Sequence, residues 1–156
     1  MSSSEMINQI TSLEDKECGS GASDREIADA ERDTGVRFPA SYKAFLSRFG
    51  WARIYADSLF GVGPSVPRPY ALVRHVLCER YEAHPHIPHH LLPVMNDGAG
   101  NHYCLDTANS HGDECPVVFW DHEHEDGPDQ SPEQVSPSFD RWLIDRIVNS
   151  PYADEV

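Results

Sequence analysis

At 156 residues the chain has the length of one ordinary domain, enough to bury about 68–70% of its unfolded surface without help from disulfides or metal. Its 12 Lys+Arg stand against 26 Asp+Glu, a formal net charge of −14, which repels phosphate backbones and anionic lipid and argues against a nucleic-acid or membrane partner. A basic protein is the partner such a charge favours, because opposite charge speeds encounter and suppresses wrong partners.

Cys18, Cys78, Cys104 and Cys115 are scattered, with no C-x-x-C pair, so reduced thiols in a cytoplasmic protein are expected. "MSSSEMINQI" has no basic region leading into an apolar run, and no later stretch is apolar for long enough to span a bilayer. The sequence does not fix an oligomeric state, and a monomer is favoured.

In chain order, residues 1–22 read as a semi-ordered lead-in, with Met6, Ile7, Ile10 and Leu13 spaced for one short helix before "CGSGAS". "SDREIADAERDTG" opens on Ser23 with Glu26 three residues later, a reciprocal capping arrangement, and Gly35 supplies the stop. "FPASYKAFLSRFG" predicts a helix from Pro39 to Gly50 with an aromatic face of Tyr42, Phe45, Leu46 and Phe49, a core face and not a cofactor box.

"WARIYADSLF", from Trp51 to Phe60, predicts a strand, with Gly61 and Gly63 turning the chain behind it. "YALVRHVLCERYEA" is helical in pattern, with Leu72, Val76 and Tyr81 toward one face and Pro85 closing it. "LLPVM" and "NHYCLD" predict strands joined by the glycine turn "NDGAG", and "PVVFWDHE" predicts a third strand of the same meander. "GPDQSPEQVSP" reads as a loop. Ser136 then caps, and Pro137 starts, a last helix with Phe139, Trp142, Leu143 and Ile147 inward. The expected fold is α+β: an antiparallel or mixed sheet of about five to six strands with helices packed against it. The domain spans 23–150, with 151–156 as a tail.

Nine histidines raise the question of metal. If the third meander strand continues, His122 and His124 share a face, which is half of a zinc site, but no third ligand is fixed by spacing. The alternative is a solvated strand end whose charges discourage edge pairing. "AHPHIPHH" is stiffened by two prolines and fits a loop. There is no G-x-S-x-G elbow, and "GVGPSVP" lacks the Lys and Ser/Thr of a phosphate loop. No cofactor is expected.

In order, "FPASYKAFLSRFG", "LLPVMNDGAGNHYCLD", "PVVFWDHE" and "SFDRWLIDRI" resemble the motifs of the SUKH superfamily, the domain shared by many bacterial toxin-immunity proteins and by fungal regulators of cell-wall synthesis. Phe38 stands where the family more often has Leu, and the resemblance covers about residues 23–148. It implies a non-catalytic protein that binds and neutralises a cognate toxin, expected to be basic and of nuclease type. The residues expected to contact that partner are Asp57, Asp97, Asp121, Glu123, Glu125, Asp126 and Asp129, with Trp51 and Tyr55 as aromatic anchors. For Trp51, burial in the core is the competing expectation. A regulatory scaffold of the same fold, a small-ligand binding module and a hydrolase using His122 and His124 stay open beside it.

Overall fold

A computed structural model of the protein describes residues 2–151. The fold is α+β, and among the described residues its strands form two antiparallel sheets. The chain begins with α1 (Ser2–Ser12), whose Met6 and Ile10 are completely buried, and continues into β1 (Lys16–Cys18). Both therefore lie inside the stretch read as a lead-in, and α1 contributes to the main core. Of the expected tail, only Pro151 falls within the described residues.

Two helices follow. In α2 (Asp24–Thr34), Ser23 Oγ accepts from Glu26 N at 3.1 Å while Ser23 N donates to Glu26 Oε1 at 2.9 Å, so two otherwise unpaired backbone donors are answered at once. Gly35 ends the helix at φ 72°, a left-handed conformation that glycine adopts without penalty. In α3 (Ala40–Phe49), Tyr42, Phe45, Leu46 and Phe49 are buried. Tyr42 and Phe45 pack on Phe139 with ring centres 5.0 and 5.6 Å apart. The Tyr42 hydroxyl donates to the Phe60 carbonyl at 2.7 Å. Glu114 braces the start of α3, accepting from Ser41 N at 3.0 Å and Ser41 Oγ at 2.7 Å.

The segment from Trp51 to Phe60 is two strands, not one: β2 (Ala52–Ile54) and β3 (Asp57–Leu59) form a tight hairpin. Tyr55 turns the chain at φ 53°, a conformation that a continuous strand does not contain. With β1 they make the three-stranded sheet. In α4 (Leu72–Tyr81) the inward residues are Leu72, Val76 and Arg80, while Tyr81 is 61% exposed. Arg80 is tolerated inside because its guanidinium donates to the carbonyls of Thr34 and His89.

The meander holds, with a fourth strand. β4 (Leu91–Asn96), β5 (His102–Asp106), β6 (Val117–Trp120) and β7 (Glu133–Ser136) pair in sequence order. Two boundaries differ from the sequence reading. β6 stops at Trp120, so the strand does not reach His122, and β7 lies within what reads as loop, three of its four residues being exposed. The last helix, α5 (Phe139–Val148), is capped by Ser138, whose side chain accepts from Arg141 N, and not by Ser136. Phe60 N donates to Val94 O at 2.9 Å, linking the end of β3 to β4. One face of the four-stranded sheet joins the main core through Leu92, Val94, Leu105 and Val117. Its other face packs Leu91, Cys104, Val118 and Trp120 under Ile87, from the segment after α4.

Candidate functional site

The β4–β5 turn and the loop after β6 meet at one end of the four-stranded sheet. Asp97 organises the turn: Oδ1 accepts from Ala99 N at 2.8 Å and Asn101 N at 3.1 Å, and Oδ2 accepts from Asn101 Nδ2 at 2.9 Å. Desolvation, the largest single influence, would raise this carboxyl, but the hydrogen bonds together outweigh it and hold it below its ordinary value. Gly98 and Gly100 take φ of 83° and 94°, as the glycine turn requires.

Asn101 ties the turn to the loop. Its Oδ1 accepts from His122 N at 3.1 Å and His122 Nδ1 at 2.7 Å. Buried Gln130 closes the loop from the far side, donating from Nε2 to the carbonyls of Asp121 and Gly127 and accepting from Asp121 N. Asp121 Oδ1 accepts from Glu123 N at 2.9 Å, and His124 Nδ1 accepts from Asp126 N at 3.1 Å. The loop 121–130 is thus a pinned unit with Glu123, Glu125, Asp126 and Asp129 exposed on it.

The surrounding charge is one-sided. Between Arg80 and Arg141 the chain carries twelve Asp/Glu and eight of its nine histidines, but no lysine or arginine. Imidazoles are the only side chains in that stretch that can become cationic, a bias invisible when charge is summed over the whole chain. With Asp97, the carboxylates of residues 121–129 form an acidic end of the sheet.

The remaining expected contact residues lie elsewhere. Trp51 is 9% exposed, with its ring 4.5 Å from that of Tyr70. Gly19 passes so close that a Cβ there would meet the indole at 2.5 Å. Tyr55 turns the β2–β3 hairpin, and Asp57 accepts from Arg146 Nε at 2.9 Å. That second patch belongs to the three-stranded sheet.

Beside the acidic end, a cleft of about 390 Å³ opens between α4 and the β4–β5 turn, lined by His75, Glu79, His84, Asn96, His102 and His122. Glu79 Oε1 lies 3.1 Å from Nε2 of buried His102. That hydrogen bond, opposed by desolvation and helped by neighbouring imidazoles, lowers the Glu79 carboxyl below its ordinary value. The His102 Nδ1 is buried with no hydrogen-bond partner among the described residues. Sequence reading missed this cleft, since Glu79 and His102 come from different elements with no motif spacing between them.

The strand-face pairing of His122 and His124 does not arise, because both follow the end of β6 and lie outside any strand. Among the described residues no group of three His, Cys, Asp or Glu stands close enough to hold a metal ion, and no helix is long and apolar enough to cross a membrane. Cys104 and Cys115 are buried free thiols; burial pushes the first well above its ordinary value and the second up to about 12.

Residues 3–148 match the SUKH_5 family, described as SMI1-KNR4 cell-wall. The match takes in α1, the glycine turn of Asp97–Gly100, the pinned loop and α5, so both sheets and the acidic end lie within it. The chain belongs to the SUKH superfamily.

Proposed function

We propose that this protein is an immunity protein, which binds a cognate bacterial toxin in the cytoplasm and neutralises it by non-catalytic protein–protein contact through the acidic end of the four-stranded sheet. Family membership supports the general role, and the run without lysine or arginine between Arg80 and Arg141 carries the choice of surface. Asp97, Asp121, Glu123, Glu125, Asp126 and Asp129 attract a cationic cleft, as a nuclease needs to hold a phosphate backbone. Occupying that cleft excludes the nucleic acid. Of the other expected contacts, the Asp57 carboxylate is already engaged by Arg146 and Trp51 is enclosed, so they serve the frame before the interface.

Replacing exposed Glu123, Glu125 and Asp129 together by lysine tests this. The expected result is an association rate with the toxin of the neighbouring reading frame reduced about 10-fold or more, most strongly at low salt, with an unchanged melting temperature. Full neutralisation by the folded variant would remove the acidic end from the interface.

A further inference from the structure

The cleft between α4 and the β4–β5 turn holds acceptors without donors to match. His75 Nε2 lies 2.8 Å from the Pro69 carbonyl, which can only accept, so that nitrogen carries the proton. His122 Nδ1 lies 2.7 Å from Asn101 Oδ1; the amide is oriented by its Nδ2 donating to Asp97, so Nδ1 carries the proton. His102 Nε2 faces the Glu79 carboxylate and carries the proton there. A ring in its neutral form that commits its single donor to an oxygen leaves its other nitrogen as a lone pair. At His102 that lone pair is buried and unanswered. Glu79 adds a carboxylate, and no lysine or arginine lines the cleft.

We propose that this cleft is a socket for an arginine side chain of the basic protein partner, an inference that rests on the partner-binding reading above and names its anchor. A guanidinium offers five donors and no acceptor, the complement of a cradle of lone pairs and one carboxylate. A volume of about 390 Å³ accommodates the head group with its stem. The socket adjoins the acidic end, because His122 both lines the cleft and begins the pinned loop. The acidic loop steers the partner, and the arginine sets its register. The charged and titratable groups lining the cleft are His75 and Glu79 from α4, His84 from the segment after it, His102 from β5 and His122 from the loop, and the Glu123 carboxylate stands 3.8 Å from His122 Nε2 at its edge.

The test uses ¹⁵N-labelled full-length protein titrated with acetyl-Gly-Arg-Gly-amide or with its citrulline counterpart, which has the same shape without the charge. Saturable shifts of the His102 and His122 ring nitrogens with the arginine peptide alone are expected. Affinity should fall at least 10-fold in Glu79→Gln and in His122→Phe, the second variant guarding against misfolding of the first. Equal shifts with citrulline, shifts scattered over the surface without saturation, or retention of binding in both folded variants would overturn the socket. So would tight stoichiometric zinc binding by the same residues, which makes the cleft a metal site. A loop variant that spares Glu123, whose carboxylate lies 3.8 Å from His122 Nε2, separates the two ideas: Glu125→Lys with Asp129→Lys keeps the peptide shifts while slowing toxin association. Toxin neutralisation that survives loss of the socket leaves the acidic-end reading standing.

Discussion

Arg146 donates from Nε to Asp57 Oδ2 across 2.9 Å, and its guanidinium lies 4.8 Å from the centre of the Tyr103 ring and 5.7 Å from that of Trp142. One side chain thus joins α5 to β3 and to β5, spanning both sheets. Each partner of the ion pair is about a third exposed, so solvent screens much of the Coulomb term and packing supplies the rest. Arg146→Met should lower unfolding free energy by about 1–2 kcal/mol and Asp57→Asn by about 1 kcal/mol or less, read as shifts in urea midpoint.

Gly98 and Gly100 share a turn and a positive φ, yet their alanine variants should behave differently. A Cβ at Gly98 meets nothing within 4 Å, whereas one at Gly100 would lie 2.7 Å from His122 Cε1. Gly98→Ala carries only the backbone penalty of about 1 kcal/mol. Gly100→Ala must also displace the His122 ring from Asn101, for a total of about 2–3 kcal/mol. Amide exchange in the loop 121–130 should accelerate only in the second variant.

Tyr42 is fully buried, and burial raises its phenol far above the ordinary value, so it serves as a neutral donor at any working pH. Tyr42→Phe keeps the ring contacts and leaves the Phe60 carbonyl without that donor. The expected loss is about 1–2 kcal/mol by thermal or urea unfolding, with no change in far-ultraviolet dichroism.

Glu79 gives an acid-side signature. Its carboxyl is lowered from 4.5, first by the His102 hydrogen bond. A depressed folded value means that the ionised form stabilises the fold above the unfolded value, and that this contribution is lost as pH falls through 4.5 toward the folded value. Urea midpoints should therefore separate wild type from Glu79→Gln most widely at neutral pH and draw together as pH falls below 4.5 toward the folded value. A constant gap across that range would mean that the pair contributes through packing alone.

The helices were legible because their signals are local. Ser23 with Glu26, the Gly35 and Gly50 stops and the aromatic face of α3 are each decided within one or two turns of chain. The glycine turn and three of the four meander strands were equally readable. β7 was not, since Glu133, Gln134 and Val135 are exposed and its pairing with β6 is non-local. Tyr81, expected inward, is exposed, and Arg80 is buried instead because its guanidinium is answered by carbonyls 46 and 9 residues away. Of the candidate site, the carboxylates of 121–129 could be named from sequence, but not the Asn101 and Gln130 clamps that pin them. The Glu79–His102 cleft needs the third dimension altogether.

The absence of lysine and arginine from Arg80 to Arg141 also governs how the molecule answers to chemical and enzymatic probes. Trypsin releases residues 81–141 as a single large peptide, so α4's last residue, all four strands of the meander and the pinned loop travel together in any tryptic map. Amine-directed cross-linkers have no lysine to capture anywhere on that stretch and will under-report a complex formed there. Carbodiimide coupling to carboxylates, with Glu-C digestion, is the chemistry suited to mapping it.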